Sequence, residues 1–279
     1  KVFMVKMLAR KNKMDKEYNF AIELVSVAGA KLKSSRPSPS DISHKGEDIR
    51  DVVTTADFEI NKFLIGEIKK TFPDHAIYSE EGENTSEEKK SEYKWVIDPI
   101  DGSSNFSRGI PHFAVCVGLL HNGVPIVGAV YNPITDELFS FEKDHGSFFN
   151  GEPIHTSQLN ELEKAQSLLV VGHQKNLFDW GEAVYRSFLE NIKKLKMLGS
   201  SSLDLCFLAS GRADIVVYGT LTTLDVASAI GIVRASGGEV YAPDGKPVEL
   251  SQKRQTIVAT ANPELLRKVL PLLHIDLLL

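Results

Sequence analysis

The sequence predicts a mixed fold of two lobes, an α+β lobe over residues 1–150 followed by an α/β lobe over residues 151–279. Three observations predict it. Apolar residues recur at helical spacing near the amino terminus, residues 113–149 alternate like antiparallel strands, and strands alternate with helices beyond residue 151. No linker, internal repeat or low-complexity segment separates the lobes, so we expect them to share an interface.

The first lobe opens with two amphipathic helices. Ala21, Leu24, Val25 and Ala28 are spaced for one helical face. In chain order, the predicted elements are a helix over 15–34, a loop over 36–41, a helix from Asp57 to Pro73, a strand over 75–79 and a charged, solvated loop over 82–92.

Short strands and tight turns then follow one another. Asn122-Gly123 and Asn150-Gly151 are typical of two-residue hairpin turns. The strands predicted around them cover 114–120, 126–131, 138–141 and 147–149. In the second lobe we predict strands over 167–171, 215–218 and 239–242, and helices over 179–194, 203–209 and 226–235.

Composition excludes several classes of partner. The 37 acidic and 32 basic residues give a net charge of -5, which predicts binding to neither nucleic acid nor an anionic membrane surface. A phosphorylated substrate would therefore need metal ions or local backbone dipoles to attract it.

Cysteine and histidine usage favours oxygen rather than sulfur or imidazole ligands. Cys116 and Cys206 lie in separate apolar stretches, as expected for buried thiols in a reducing compartment. No histidine pair has zinc-site spacing, and we see no signal peptide or long apolar span. These features predict a cytoplasmic protein.

The most informative segment covers residues 95–106, which read Trp-Val-Ile-Asp-Pro-Ile-Asp-Gly-Ser-Ser-Asn-Phe. An apolar strand delivers Asp98, and Pro99 predicts a turn that brings Asp101 back. Gly102 permits close backbone approach to a ligand, and the residues after it favour a helix start. Two carboxylates beside a helix start can bind hard cations together with a phosphate. A strand, turn and capped helix without any ligand is the alternative interpretation.

Further carboxylates stand at the ends of other predicted elements. Asp57 and Asp225 each begin a predicted helix, and Glu80 follows a predicted strand. Each has a simple structural explanation, because Asp is a favourable helix cap and Glu80-Glu81 fits a solvated loop. Taken together, acidic residues just past apolar segments in both halves predict one convergent site between the lobes.

The order of these motifs resembles the inositol monophosphatase family. The matching segments are Asp51-x-Val-Thr-x-x-Asp57, Glu80-Glu-Gly82, the segment 95–106, Leu224-Asp-Val-Ala-Ser-Ala229 and Gly237-Gly238. The resemblance extends from about residue 15 to residue 262. It implies a layered α-β-α-β-α sandwich like that of sugar phosphatases, including fructose-1,6-bisphosphatases, and a magnesium-dependent, lithium-sensitive phosphatase.

The resemblance also implies a metal-ligand set for two or three Mg²⁺ ions. Glu80, Asp98 and the Ile100 carbonyl match the ligands of one ion. Asp98, Asp101 and Asp225 match the ligands of a second, with Asp98 bridging both. Oxygen donors of this kind are those that Mg²⁺ prefers.

Catalytic and substrate-binding roles are implied in the same way. Asp57 and Ser103 match the pair that positions and deprotonates the attacking water, and Glu80 acts in catalysis through its metal. Gly102, Ser103 and Ser104 match the phosphate cradle. Residues matching substrate contacts are Asp101, Gly199, Ser200, Ser201, Tyr218 and Asp225.

Several positions depart from the family pattern. Leu224 replaces the usual Trp before Asp225, and Ser103 replaces the commoner Thr. Tyr218 stands where inositol-specific members carry a Glu that binds ring hydroxyls, and a phenol cannot supply the same pair of acceptors. A sugar phosphate such as fructose 1,6-bisphosphate is therefore a candidate beside inositol 1-phosphate. Lys45 is either the family's loop lysine, shifted by one position, or a solvated side chain.

Two other functions stay open at the level of sequence. One is a nucleotide phosphatase of the same fold that acts on 3′-phosphoadenosine 5′-phosphate, although residues 107–111 resemble the inositol and fructose branch. The other is a non-catalytic cation-binding relative. The resemblance further implies a homodimer.

Overall fold

A computed structural model describes residues 16–35, 42–44, 52–82, 91–172 and 174–278. The predicted loop over 36–41, Lys45, Asp51 and most of the charged loop over 82–92 lie outside these residues. The described chain forms two sheets with helices on both sides of each.

Two helices cover the outer face of the first sheet. Helix α1 (Lys16–Ser34) packs on the middle of the sheet, and helix α2 (Thr55–Thr71) packs beside it. Their apolar faces, with Leu24, Leu32 and Leu64 fully or almost fully buried, form one core with the sheet. The helical spacing in the sequence is thus explained by one-sided burial.

The first sheet has seven strands arranged in chain order from β3 to β9. Its first pair is parallel and the rest are antiparallel, with Asn122-Gly123 and Asn150-Gly151 turning at positive φ as predicted. The strands are β3 (Ala76–Ser79), β4 (Tyr93–Asp101), β5 (Ala114–His121), β6 (Val124–Asn132), β7 (Glu137–Glu142), β8 (Gly146–Phe149) and β9 (Glu152–Pro153). A separate two-stranded ladder joins β1 (Ile42–His44) to β2 (Val52–Thr54).

The second sheet has five strands in the order β11-β10-β12-β14-β13. Strands β10, β11 and β12 run parallel, whereas β14 pairs antiparallel with both of its neighbours. The strands are β10 (Gln166–Val170), β11 (Lys194–Lys196), β12 (Ile215–Thr222), β13 (Glu239–Tyr241) and β14 (Arg254–Thr260).

Two helices lie between the sheets and two cover the outside of the second. Helices α5 (Ser201–Ala209) and α6 (Ala227–Ala235) form a core with both sheets, while α4 (Phe178–Asn191) and α7 (Pro263–Val269) belong to the outer core. The remaining short helix, α3 (Ser103–Ser107), follows β4. The layers are therefore α-β-α-β-α, which confirms the predicted architecture. None of the helices in the described part of the chain combines the length and hydropathy needed to cross a bilayer.

The structure corrects several predicted bounds. Helix α2 begins at Thr55 rather than at Asp57, and α6 begins at Ala227, so Asp225 precedes it in a turn. Strand β12 continues to Thr222, and the helix predicted to reach residue 194 ends at Asn191.

Candidate active site

Strand β4 carries both Asp98 and Asp101. It does not make the sharp turn that the sequence predicts at Pro99. The strand continues through Pro99, and its register against β5 shifts between Asp98, which faces Cys116, and Asp101, which faces Ala114. Proline has no N–H to donate, and an irregularity in the ladder accommodates it. The turn predicted at Pro99 is therefore wrong, but the shift still places both carboxylates at the same end of the sheet.

These carboxylates face a cavity of about 250 Å³ between the two sheets. Residues from both halves of the chain line it, as the sequence predicted. The predicted site residues in its lining are Glu80, Asp98, Ile100, Asp101, Gly102, Ser103, Gly199, Ser201, Tyr218 and Asp225. Three predicted site residues, Asp57, Ser104 and Ser200, are not part of the lining.

Negative charge accumulates where Glu80, Asp98 and Asp225 line this cavity. Burial, followed by the charges of Glu80, Asp101 and Asp225, raises the pKa of Asp98 well above its usual range. Glu80 and Asp98 are also within hydrogen-bonding distance of each other, an arrangement that requires a proton or a cation between them. Burial and a hydrogen bond to Asp225 likewise raise the pKa of Tyr78.

The carboxylates share the cavity but do not form a closed cage. Across the described ranges, no three or more His, Cys, Asp or Glu side chains are grouped closely enough to be a ready-made metal centre. One reason is that Asp101 is held by the start of helix α5. Its two oxygens accept hydrogen bonds from the hydroxyls of Ser200 and Ser201 and from the N–H groups of Ser201 and Ser202, at 2.5–3.1 Å.

Asp101 therefore joins the first sheet to helix α5 as well as lining the cavity. Burial raises its pKa, and the hydrogen bonds from Ser200, Ser201 and Ser202 partly offset that rise. Donors at a helix start suit a carboxylate because the helix dipole is positive there. The sequence predicted Asp101 and the serine segment as separate parts of the site but did not predict this contact.

Gly102 allows the chain to turn from β4 into helix α3. Its φ is +89°, and a Cβ atom there would lie 3.0 Å from the carbonyl oxygen of His112 and 3.2 Å from Cβ of Ser200. Glycine is the residue that can adopt this positive φ and allow this close approach of His112 and Ser200 at a low cost in free energy. Ser103, the first residue of α3, consequently faces the cavity.

Asn105 fixes the relative position of two loops around Gly102. Its Nδ2 donates to the carbonyl oxygens of His112 and Leu198, both at 2.8 Å. Leu198 directly precedes Gly199, so this amide links α3 to the neighbouring segment that also lines the cavity. Sequence reasoning used Asn105 only as a helix-starting residue.

Asp57 lies behind the cavity, at the start of helix α2. It is 1% exposed, and its Oδ2 accepts hydrogen bonds from the backbone N–H and the hydroxyl of Thr54, at 2.7 and 2.6 Å. Helix α3 packs against β2, which ends at Thr54, so Asp57 and Ser103 belong to adjacent elements. Thr54 is thus a site-supporting residue that the sequence motif contained without a stated role.

A buried polar chain supports Tyr218 at the far side of the cavity. The Tyr218 hydroxyl donates to Oδ2 of Asp204 at 2.6 Å, and Nε2 of His112 donates to Oδ1 at 2.9 Å. Asp204 is fully buried, and burial together with the Asp204 charge raises the pKa of Tyr218. Sequence reasoning missed Asp204, although an acid flanked by Leu203 and Leu205 in an apolar helix was a usable signal.

Leu224 also differs from the family pattern in a structurally simple way. It is 6% exposed and packs in a small cluster with Tyr78, Val96 and Leu120. Asp225 follows directly and its backbone N–H bonds to Thr222 at 3.0 Å. The replacement of Trp by Leu is therefore compatible with Asp225 at the cavity.

Comparison with known proteins identifies the family. The model of the inositol monophosphatase family matches residues 13–275. An inositol monophosphatase from Mesembryanthemum crystallinum is 34% identical over 250 residues, covering 87% of this chain and 90% of its own. A fructose-1,6-bisphosphatase/inositol-1-monophosphatase from Thermotoga maritima is 31% identical over 235 residues, covering 84% of this chain and 88% of its own.

Solved structures show the same relationship. An inositol monophosphatase structure from Thermotoga maritima matches with a TM-score of 0.84 and 27% identity, covering 95% of this chain and 98% of its own. The extragenic suppressor protein suhB from Bartonella henselae matches with a TM-score of 0.86 and 28% identity, covering 93% and 99%. With its carboxylate-lined cavity between two sheets, the chain belongs to the inositol monophosphatase family, and it is a phosphatase of that family.

Proposed function

We propose that this protein hydrolyses the phosphomonoester of a small polyol or sugar, with inositol 1-phosphate and fructose 1,6-bisphosphate as candidate substrates, and that it requires Mg²⁺. The observation that supports this most is the convergence of Glu80, Asp98 and Asp225, from three separate elements, on one cavity that Gly102 and Ser103 also line.

The residues present fit hard divalent cations. The exposed Glu80 lies within hydrogen-bonding distance of the buried Asp98, and Asp225 adds to their mutual repulsion. Carboxylates and the Ile100 carbonyl are the donors that such cations prefer. We therefore assign Glu80, Asp98, Ile100, Asp101 and Asp225 as the residues that hold Mg²⁺. Bound there, two ions would polarise the attacking water and stabilise the departing alkoxide.

The chain itself supplies positioning and proton transfer. We assign Asp57 as the carboxylate that receives the proton of the attacking water by way of the Ser103 hydroxyl. The two hydrogen bonds from Thr54 occupy Oδ2 of Asp57 and fix the orientation of its carboxylate. Gly102, Ser103 and Ser104 would hold the phosphate through backbone N–H groups. On this assignment Gly199, Ser201 and Tyr218 bound the space for the alcohol, and Ser200 supports it by its hydrogen bond to Asp101.

The resemblance adds three properties to the proposal. We carry over lithium inhibition, a homodimer and a cytoplasmic location from the family. Each is testable by itself, by millimolar Li⁺ in the assay, by light scattering and by cell fractionation.

Phosphate release tests the proposed activity directly. Purified protein would be assayed on inositol 1-phosphate, fructose 1,6-bisphosphate and 3′-phosphoadenosine 5′-phosphate, with Mg²⁺ and with a chelator. We expect turnover only with Mg²⁺, and at least about a 1,000-fold loss in Asp98→Asn, because removing one such group costs several kcal/mol of transition-state stabilisation. Turnover in the chelator, or an unaffected variant, would refute the proposal.

A further inference from the structure

Two observations concern the charge of the cavity outside its carboxylates. The first is the hydrogen-bonded chain through Tyr218. Because a carboxylate only accepts hydrogen bonds, the hydroxyl proton of Tyr218 is committed to Asp204. Tyr218 therefore lines the cavity as a neutral side chain, where a carboxylate would repel an anion.

The second observation is a cation in the lining of the same cavity. Arg254 is the first residue of strand β14 and lines the cavity. It pairs with Thr222 of β12, and Thr222 lies three residues before Asp225 in the sequence. It makes no ion pair with a carboxylate of the described residues, whereas Arg212 and Arg234 each pair with a glutamate. Its guanidinium is therefore available to a ligand, and guanidinium binds phosphate and carboxylate groups through paired hydrogen bonds.

Arg254 also stands at the junction with a second cavity, of about 460 Å³. Gln174, Thr220 and Arg254 line both cavities. The Oε1 atom of Gln174 is buried there and has no hydrogen-bond partner in the described structure. A leaving alcohol that extends from the first cavity into the second would thus meet the unpaired amide oxygen of Gln174 and the cation of Arg254.

From these observations we infer that Arg254 forms a subsite for a second anionic group, a phosphate carried by the leaving alcohol of the substrate. The inference rests on the proposed phosphatase function and narrows its substrate class to bisphosphorylated alcohols. Tyr218 permits the anion to pass because it is neutral, and Arg254 binds it. The scissile phosphate is held in the same cavity, beside Asp98 and Asp225.

Matched substrate pairs test the subsite. Fructose 1,6-bisphosphate is compared with fructose 1-phosphate, and 3′-phosphoadenosine 5′-phosphate with adenosine 3′-monophosphate. Each pair shares the alcohol and differs only in the second phosphate, and the two pairs distinguish a sugar from a nucleoside as its source. The quantity measured is the ratio of kcat/KM for the bisphosphate to that for the monophosphate, with Mg²⁺.

We expect a ratio of roughly 10 or more in at least one pair, the size of a charge-assisted contact. Arg254→Gln should lower that ratio about 10-fold while leaving kcat/KM for the monophosphate unchanged, and Arg254→Lys should retain part of it. Lys253→Gln is the matched control, because it removes a neighbouring exposed charge that lines neither cavity. The ratio should also fall as salt is raised, because Arg254 is exposed.

A wild-type ratio near one in both pairs would overturn the inference, as would an equal loss on both members of a pair in Arg254→Gln. So would an effect of Lys253→Gln as large as that of Arg254→Gln. If no ester is hydrolysed, the proposed function fails by itself. The subsite is then judged from binding, by whether each bisphosphate raises Tm more than its monophosphate in the wild type but not in Arg254→Gln.

Discussion

Asp98 shows how a single residue can serve function at the expense of stability. Its carboxylate is 4% exposed and faces three other carboxylates, so its pKa is raised by burial and by like charge. A carboxyl group whose pKa is higher in the folded state than in the unfolded state stabilises the fold only while it is protonated. That contribution is complete below the unfolded pKa, about 4, and is lost as pH rises through the folded value.

We therefore predict that Asp98→Asn unfolds at a higher temperature than the wild type at pH 8 in a chelator, although it is inactive. The gain in Tm should shrink towards pH 4, and each kcal/mol corresponds to roughly 2–4 °C. Thermal unfolding followed by circular dichroism measures it. Asp244→Asn is the control, since Asp244 is exposed, the hydrogen bonds from Lys246 lower its pKa, and its removal should give no gain. A lower Tm for Asp98→Asn at pH 8 would contradict this explanation.

A substitution at Gly102 gives a second prediction at the residue scale, and Gly109 serves as its matched control. Gly102 and Gly109 flank helix α3 with φ of +89° and +70°, but a Cβ atom on Gly109 would meet nothing within 4 Å. Both alanine variants should lose about 1 kcal/mol or more through backbone strain. Only Gly102→Ala should also lower kcat/KM, by roughly 10-fold or more, because His112 and Ser200 must move.

Denaturant titration of both glycine variants measures the cost of backbone strain. Steady-state kinetics on the same variants measure the effect of displacing His112 and Ser200. Equal losses of activity in Gly102→Ala and Gly109→Ala would show that the contacts at Gly102 do not matter to the site.

Elements whose own sequence carries a turn or spacing pattern could be predicted. Elements and contacts that depend on residues far away in the sequence could not. The Asn-Gly hairpins and the amphipathic helix α1 carry their own turn and spacing patterns. Strand β11 has only three residues, too few for an alternating pattern to be recognised, so its pairing with β10 defines it. The bonds from Ser200 to Asp101 span 99 positions, and no local pattern encodes such a contact.

A substitution at Asn105 tests how much stability and substrate binding depend on the relative positions of helix α3 and the loops that Asn105 contacts. Asn105→Asp removes both donors and places a negative charge against the carbonyl oxygens of His112 and Leu198. We expect a loss of roughly 2–3 kcal/mol in the free energy of unfolding, measured by denaturant titration, and a raised KM. Asn191→Asp, which loses one exposed bond to Ser187, should stay within about 0.5 kcal/mol of the wild type. A comparable loss in both variants would contradict this role.

At the scale of the whole molecule, the site exists only because two sheets meet. Glu80 and Asp98 come from the first sheet, whereas Asp225 follows the longest strand of the second. The acidic residues of the site could be predicted from their motifs. The residues that the family resemblance implied for metal binding line the cavity. The roles of Arg254 and Asp204 could not be predicted, because neither belongs to a motif: sheet register brings Arg254 to the cavity, and Asp204 acts through a buried hydrogen bond to Tyr218.

Calorimetric titration of the protein with Mg²⁺, compared between the wild type and Asp225→Asn, tests the central claim most directly. If carboxylates from both sheets hold the ions jointly, the wild type binds at least two Mg²⁺ per chain. Asp225→Asn should then lose one ion or bind it at least about 10-fold more weakly. Unchanged stoichiometry and affinity in Asp225→Asn, or no Mg²⁺ binding by the wild type, would contradict the shared metal site.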